Sequence, residues 1–245
     1  MNTDYKTEIS SEPSQTSNRI IEDAVQINDE NSQNAYLRFS QFCIQINTEY
    51  QGGDYIKIAN EFNEFGKFII PFPMNFFENI SPILKNNIPS ILFDCLHMDK
   101  PYAVIHSCIS LLNELLFHCH NLSQFFSNEQ FLNLLVENIK SSRNILRNEN
   151  IAALSNILSE TDETTHDYIY SIFPSNILIS IMNSNENDAV LIENSLNFIY
   201  GITKFPIPID VHQSILDIVN QHFTEFPILS LKIYEMLVEI NNVYD

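Results

Sequence analysis

The chain has 245 residues, of which 44% are hydrophobic, and its formal net charge at pH 7 is −19. It contains only four glycines, which argues against folds built on tight glycine turns and against glycine-rich phosphate-binding loops. A negative charge of this size repels nucleic acid and anionic lipid, so we expect neither nucleic acid nor a membrane as a partner.

The N-terminal segment, residues 1–32, is rich in Ser, Thr, Asn, Asp and Glu and poor in large apolar side chains. Such a segment buries too little surface to offset the entropy lost on ordering it. We therefore expect a disordered acidic tail over residues 1–32 and a folded domain over residues 33–245.

The cysteines indicate a reducing compartment. All four of them, Cys43, Cys95, Cys108 and Cys119, lie inside apolar runs, as core thiols do. The sequence has no apolar segment typical of a secretory signal and no run of 18 apolar residues. We expect a cytoplasmic protein, with the nucleus as the alternative compartment.

Apolar residues recur at helical spacing along most of the chain, and Pro89, Pro101, Pro174 and Pro227 stand where first helical turns are expected. The pattern at Asp54 is typical of an N-cap, and that at Ser127 and Gln130 of a capping box. Helices are predicted near residues 35–50, 54–69, 87–97, 101–118, 128–140, 147–159, 164–172, 174–183, 187–203, 211–222 and 227–241.

One helical phrase occurs four times, around Leu111, Leu154, Leu196 and Leu231, which lie 43, 42 and 35 residues apart. Periods of about 40 to 47 residues are typical of stacked helical repeats. We therefore predict four repeating units, each an inner apolar helix followed by a longer helix that carries the phrase. A single such unit cannot bury its apolar side, so stacking stabilises the array.

The phrase at residues 152–158, Ala-Ala-Leu-Ser-Asn-Ile-Leu, resembles the third helix of an armadillo repeat. The resemblance covers residues 80 to 245 and implies an all-α, right-handed α-solenoid of about four armadillo-like repeats. HEAT-like repeats, which are plain helix pairs, remain an alternative, since the glycine that armadillo repeats carry between their first two helices is missing here.

The armadillo resemblance also implies a binding groove, because the Asn of the third helix holds the main chain of an extended peptide in that family. Asn113 and Asn156 match this position, whereas Phe198 and Ile233 stand there in the later units, and the chain has no Trp. The expected groove residues are those that share the polar sides of these two helices: His106, Ser110, Asn113, Glu149, Asn156 and Glu160.

A second candidate surface is acidic. No Lys or Arg occurs between Arg147 and Lys204, and such a span favours a basic partner or simply keeps the surface solvated. The acids that form this expected field are Asp162, Glu163, Asp167, Glu186, Asp188 and Glu193.

Catalytic and metal chemistry are weakly represented. Seven Cys and His residues lie between Cys95 and His120, but their spacings of one residue or none would point neighbours to different faces of a helix. We therefore expect no metal, no cofactor and no enzymatic activity. The minor alternative is a cryptic metal or thiol enzyme.

These observations predict a non-enzymatic scaffold or adaptor that holds another protein, through a basic or amphipathic segment bound in the concave groove. The alternative is a structural assembly subunit that packs through apolar or end surfaces. The sequence does not set the oligomeric state.

Overall fold

A computed structural model describes residues 15–73, 76–77, 79–141, 144–185 and 188–244. Helices make up 80% of the structure, and these ranges contain no strand, so the predicted all-α class is confirmed. The helices are α1 (Gln15–Gly52), α2 (Tyr55–Ile69), α3 (Ser81–Lys85), α4 (Ile88–Cys95), α5 (Tyr102–His118), α6 (Ser123–Phe126), α7 (Glu129–Ser141), α8 (Asn144–Ser159), α9 (Glu163–Ile172), α10 (Ser175–Asn183), α11 (Ala189–Ile202), α12 (Ile209–His222) and α13 (Pro227–Tyr244).

The chain divides into two compact units, Met1–Gln41 and Phe42–Asp245. Helix α1 begins at Gln15, inside the segment for which the sequence predicts a disordered tail, whereas the first predicted helix begins at Ala35. The rest of that predicted tail, residues 1–14, lies outside the described residues. All features below belong to the second unit.

Capping side chains define several helix starts. Asp54, Asp162 and Asp188 each accept a hydrogen bond from the backbone N–H three residues later, which satisfies a donor that the first turn leaves free. The prediction for α7 is wrong by one residue. Asn128 is its cap, accepting from the Phe131 N–H at 3.0 Å, while the Ser127 hydroxyl donates back to Ser123.

The helices recur as triplets rather than as the predicted pairs. A first helix, a middle helix and a long third helix follow one another as α3–α4–α5, α6–α7–α8 and α9–α10–α11, and the pair α12–α13 comes last. The first helix is short in the first two triplets, whereas α9 has 10 residues against 9 in α10. The short helices α3 and α6 span five and four residues, so they contain too few apolar positions to show a periodic pattern in the sequence.

The long helices form a row in the order α2, α5, α8, α11 and α13, since each packs against the next. Its central members run parallel. His106, near the start of α5, lies 3.6 Å from Glu149 near the start of α8, and Lys204, just beyond α11, donates to the Ser159 carbonyl at the end of α8. We call this array the long-helix row.

The core lies between the long-helix row and the middle helices. Helix α7 packs on α8 and α10 on α11, and the leucines of the repeated phrase at 111, 154 and 196 are buried. The connector after α2 is also packed: Phe77 is fully buried and contacts Phe72 and Phe76, whose ring centroids lie 5.1 and 5.0 Å away.

Candidate functional site

Five of the predicted groove residues meet at the seam between α5 and α8. Glu149 Oε1 accepts a hydrogen bond from the Ser110 hydroxyl at 2.9 Å and lies 3.6 Å from His106 Nε2. Asn113 donates to the Glu149 backbone carbonyl at 3.0 Å, and Asn156 donates to the Asn113 side-chain oxygen at 3.4 Å. The two asparagines therefore connect neighbouring helices, and the Asn113 amide is already engaged within the protein.

Glu149 is the least satisfied member of this seam. Its side chain is 25% exposed, and its second oxygen, Oε2, is buried without a hydrogen-bond partner among the described residues. Burial raises the pKa of the Glu149 carboxyl, and the hydrogen bond from Ser110 and the nearby His106 lower it in part. Because a buried carboxylate oxygen without a partner costs free energy, this group favours an incoming cation or hydrogen-bond donor.

Replacing Glu149 with Gln should raise the melting temperature at pH 7.5 by about 1–3 °C. The raised pKa means that ionised Glu149 opposes folding, so its contribution to stability falls as pH rises from the unfolded pKa through the folded pKa. The gain should therefore shrink as pH falls through the raised folded pKa and disappear below about 4.3, the ordinary Glu value.

Thermal denaturation of the Glu149→Gln variant at pH 7.5 and pH 4 would check this prediction. Glu160→Gln is the matched control, because Glu160 is exposed at the end of α8. A lower melting temperature for Glu149→Gln at pH 7.5 would show instead that the contacts of the carboxylate with Ser110 and His106 outweigh its burial.

Glu160, the remaining predicted groove residue, lies at the far end of α8, away from this cluster. The Ser159 hydroxyl approaches its carboxylate at 3.4 Å. Ten residues separate Ser159 from Glu149, so at about 1.5 Å per residue the two ends of the α8 face lie roughly 15 Å apart.

The row continues into a groove between α8 and α11 that the sequence did not predict. Its volume is about 290 Å³, and both walls carry polar side chains: Ser155, Asn156, Ser159, Asn194, Asn197, Tyr200 and Lys204 line it. Phe198 and Ile233, which the repeated phrase aligns with Asn156, are fully buried and face the core. The exposure pattern of α11 thus places Asn194 and Asn197, rather than Phe198, beside Asn156.

The predicted acidic residues lie in two groups near opposite ends of α11. The α9 side chain His166 contacts the Ile202 carbonyl at 2.9 Å, which puts Asp162, Glu163 and Asp167 near the C-terminal end of α11. Asp188 and Glu193 lie in the N-terminal half, and the helix is about 20 Å long. Glu186 lies outside the described residues.

Three of these acids already have partners: the Asp167 carboxylate lies 3.2 Å from His166 Nδ1, and the other two cap helices. Asp162 caps α9, and hydrogen bonds from Thr165 lower its pKa. Asp188 caps α11 and also accepts from the Asn148 amide at 3.2 Å. Their charges are therefore partly used in fixing helix ends rather than held free for a partner.

The four cysteines are free and buried. Burial raises the pKa of Cys95 and Cys119 to about 12 and raises the pKa values of Cys43 and Cys108 as well. These thiols are protonated at neutral pH, in contrast to the exposed thiolate that nucleophilic catalysis uses. Within the described ranges, no three His, Cys, Asp or Glu side chains are grouped to hold a metal ion.

Solved structures resemble this arrangement of helices. One is a designed armadillo repeat protein in complex with the peptide (KR)4: it is 16% identical, with a TM-score of 0.56 over 85% of this chain and 92% of that one. The fold is armadillo-like. The predicted resemblance and the armadillo-like solenoid class are thereby confirmed.

Two further structures share the armadillo-like fold. A computationally designed armadillo repeat protein for modular peptide recognition is 15% identical, with a TM-score of 0.56 over 81% of this chain and 90% of that one. An engineered protein is 16% identical, with a TM-score of 0.58 over 75% of this chain, which spans 44% of its length. No protein-family model and no curated protein matches the sequence.

Among the described residues, no helix combines the length and the apolar character needed to cross a bilayer.

Proposed function

We propose that this protein is a non-enzymatic scaffold that holds a basic or amphipathic polypeptide segment along its long-helix row. The observation that carries the proposal is the Glu149 carboxylate, which is desolvated, incompletely hydrogen-bonded and set between two parallel helices. A lysine or arginine of a partner would supply the missing donor and the opposite charge. The free buried thiols fit a cytoplasmic or nuclear location.

The armadillo-like fold supports the same kind of ligand. One structural neighbour is bound to a (KR)4 peptide, and another was designed for modular peptide recognition. In the present chain, the α5–α8 seam offers Glu149 with His106 and Ser110 beside it, and the polar face continues through Asn156. An extended segment crossing this face would meet both a carboxylate and amide groups.

Selection of a random 12-residue peptide library on the purified protein tests the proposal. We expect enrichment of Lys and Arg, and binding that weakens as salt rises, because opposite charges at the surface are screened. Glu149→Lys should lower the affinity for the selected peptides by about 10- to 100-fold, since removing one charge-assisted contact costs roughly 1.5–3 kcal/mol.

Glu137→Lys is the matched control, because Glu137 is exposed on the middle helix α7 and the change in net charge is identical. Equal loss of binding in the two variants would point to net charge alone. A library that yields no enrichment of basic residues would contradict the proposal.

A structural assembly subunit remains the second candidate, because the last long helix has apolar side chains in solvent. Ile228, Leu231 and Val238 of α13 are 72%, 51% and 57% exposed. Such a face is typical of a packing surface. Light scattering distinguishes this candidate. An assembly subunit should have a molar mass in solution above that of one chain, and this mass should stay the same at high salt. Peptide binding in a charged groove should instead weaken at high salt.

A further inference from the structure

Two lysine ammonium groups lie close to one aromatic ring at the C-terminal end of the α8–α11 groove. Lys204 Nζ lies 5.5 Å from the Tyr200 ring centroid, and Lys232 Nζ, from α13, lies 5.8 Å from it. Three consecutive elements of the long-helix row therefore contribute to this point, because Lys204 also donates to the Ser159 carbonyl of α8. We call Tyr200, Lys204 and Lys232 the lysine–tyrosine cluster.

No described carboxylate neutralises the positive charge of this cluster. Neither Lys204 nor Lys232 forms an ion pair with a carboxylate of the described residues, although the chain has 31 Asp and Glu against 12 Lys and Arg. The exposed acids on α11 and α13, which are Glu193, Glu235 and Glu239, form no ion pair with them. Both ammonium groups lie within 6 Å of the same ring centroid, so an anion bound beside Tyr200 would be stabilised by like charges that have no carboxylate partner in the described part of the chain.

The surrounding groove has the character of a polypeptide site. Asn156, Asn194 and Asn197 present amides to its space of about 290 Å³. The Asn197 side chain makes no hydrogen bond within the described residues, so both its donor and its acceptor are free for a ligand main chain. The groove thus combines neutral amides along its walls with a cationic end.

We propose that the lysine–tyrosine cluster binds the carboxylate of an Asp or Glu side chain in an extended polypeptide held by the α8–α11 groove. This inference rests on the proposed function, and it specifies the ligand further. Glu149 would bind the basic residue of the ligand at one end of the α8 face. Lys204 and Lys232 would bind the acidic residue at the other end.

The geometry sets the spacing of the two ligand charges. Glu149 and Ser159, which Lys204 contacts, lie about 15 Å apart along α8. An extended chain advances about 3.3 Å per residue, so the basic and acidic residues of the ligand should stand at least about five residues apart. A uniformly basic segment would lack a partner for the cluster.

Selection of the same random 12-residue library on the full chain and on the Lys204→Gln/Lys232→Gln variant tests the inference. The native protein should enrich peptides with a basic residue and, about five or more positions away, an acidic one. The variant should still enrich the basic residue without the acidic preference. Lys67→Gln/Lys85→Gln, two exposed lysines of α2 and α3, is the matched control and should select as the native protein does.

A selected peptide and its Glu→Gln analogue then report the contact itself. The analogue should bind the native protein about tenfold more weakly than the parent peptide does. The analogue and the parent peptide should bind the double variant with equal affinity. Comparing peptides with amidated and with free C-termini shows whether the bound carboxylate belongs to a side chain or to the C-terminus. Lys232→Gln alone repeats the measurement without touching the Lys204 bond to α8.

The outcomes separate the two proposals. No enrichment of any peptide by the native protein overturns both of them. Basic enrichment without an acidic preference, an acidic preference that survives in the double variant, or equal binding of the Glu and Gln peptides overturns only the carboxylate site. Dependence on a free C-terminus would also overturn the side-chain assignment.

Discussion

Replacing Phe198 with alanine should lower the free energy of unfolding by about 3–5 kcal/mol, the usual cost of a buried Phe→Ala change. Phe198 is fully buried in α11 and packs against Phe173 with ring centroids 5.4 Å apart in an edge-to-face arrangement. The truncation removes this contact and leaves a cavity that neighbouring helices can only partly fill.

Urea denaturation of Phe198→Ala and of Asn197→Ala measures the difference. Asn197 is exposed in the preceding position of the same helix, so its replacement should change stability by no more than about 0.5 kcal/mol. The pair also tests the register of α11. Similar, small effects at both positions would mean that Phe198 lies on the groove side, where the repeated phrase aligned it with Asn156.

Replacing Gly201 with valine should destabilise the protein by about 2–3 kcal/mol through overpacking. A Cβ at Gly201 would lie 2.7 Å from Leu158 Cδ2 and 3.1 Å from Leu158 Cγ, which is closer than ordinary van der Waals contact. Leu158 is fully buried and cannot move into solvent. The glycine therefore sets how closely α11 approaches α8, and hence the width of the α8–α11 groove.

A double-mutant cycle isolates this contact. Leu158→Ala alone should cost about 2–5 kcal/mol, and the double variant should be more stable than the sum of the two changes by about 1 kcal/mol or more, because the valine occupies the space that Leu158 leaves. Gly66→Ala is the control: nothing lies within 4 Å of its Cβ position, so it should be neutral or stabilising. Strict additivity in the cycle would exclude the steric explanation.

Helix positions follow closely from local sequence. The predicted helix at 54–69 is α2 with Asp54 as its cap, and those at 101–118 and 174–183 differ from α5 and α10 by one residue at the N-terminal end. Capping residues, prolines and apolar periodicity determine where a helix begins and ends through interactions with residues only a few positions away. The short helices α3 and α6 were not predicted, because each contains a single turn or little more.

The candidate site was partly predictable. The polar sides of α5 and α8 indicated His106, Ser110, Asn113, Glu149 and Asn156, which the structure brings together at one seam. Asn194 and Asn197 were missed because the leucine alignment placed Phe198 at the groove position, and one residue of misalignment turns a helix face by about 100°. The pattern of buried and exposed residues along α11 shows which side of the helix faces the groove, which the alignment of the repeated phrase did not.

The sequence by itself determined the helical class, the repeat period and the strong negative charge, since composition and local periodicity are enough for these. Only the tertiary structure decided that helices recur in triplets, that one Glu149 oxygen has no partner among the described residues and that Lys204 and Lys232 both lie close to the Tyr200 ring. Those features depend on how separate helices stack. Contacts between residues about 30 to 45 positions apart leave no signature in local sequence.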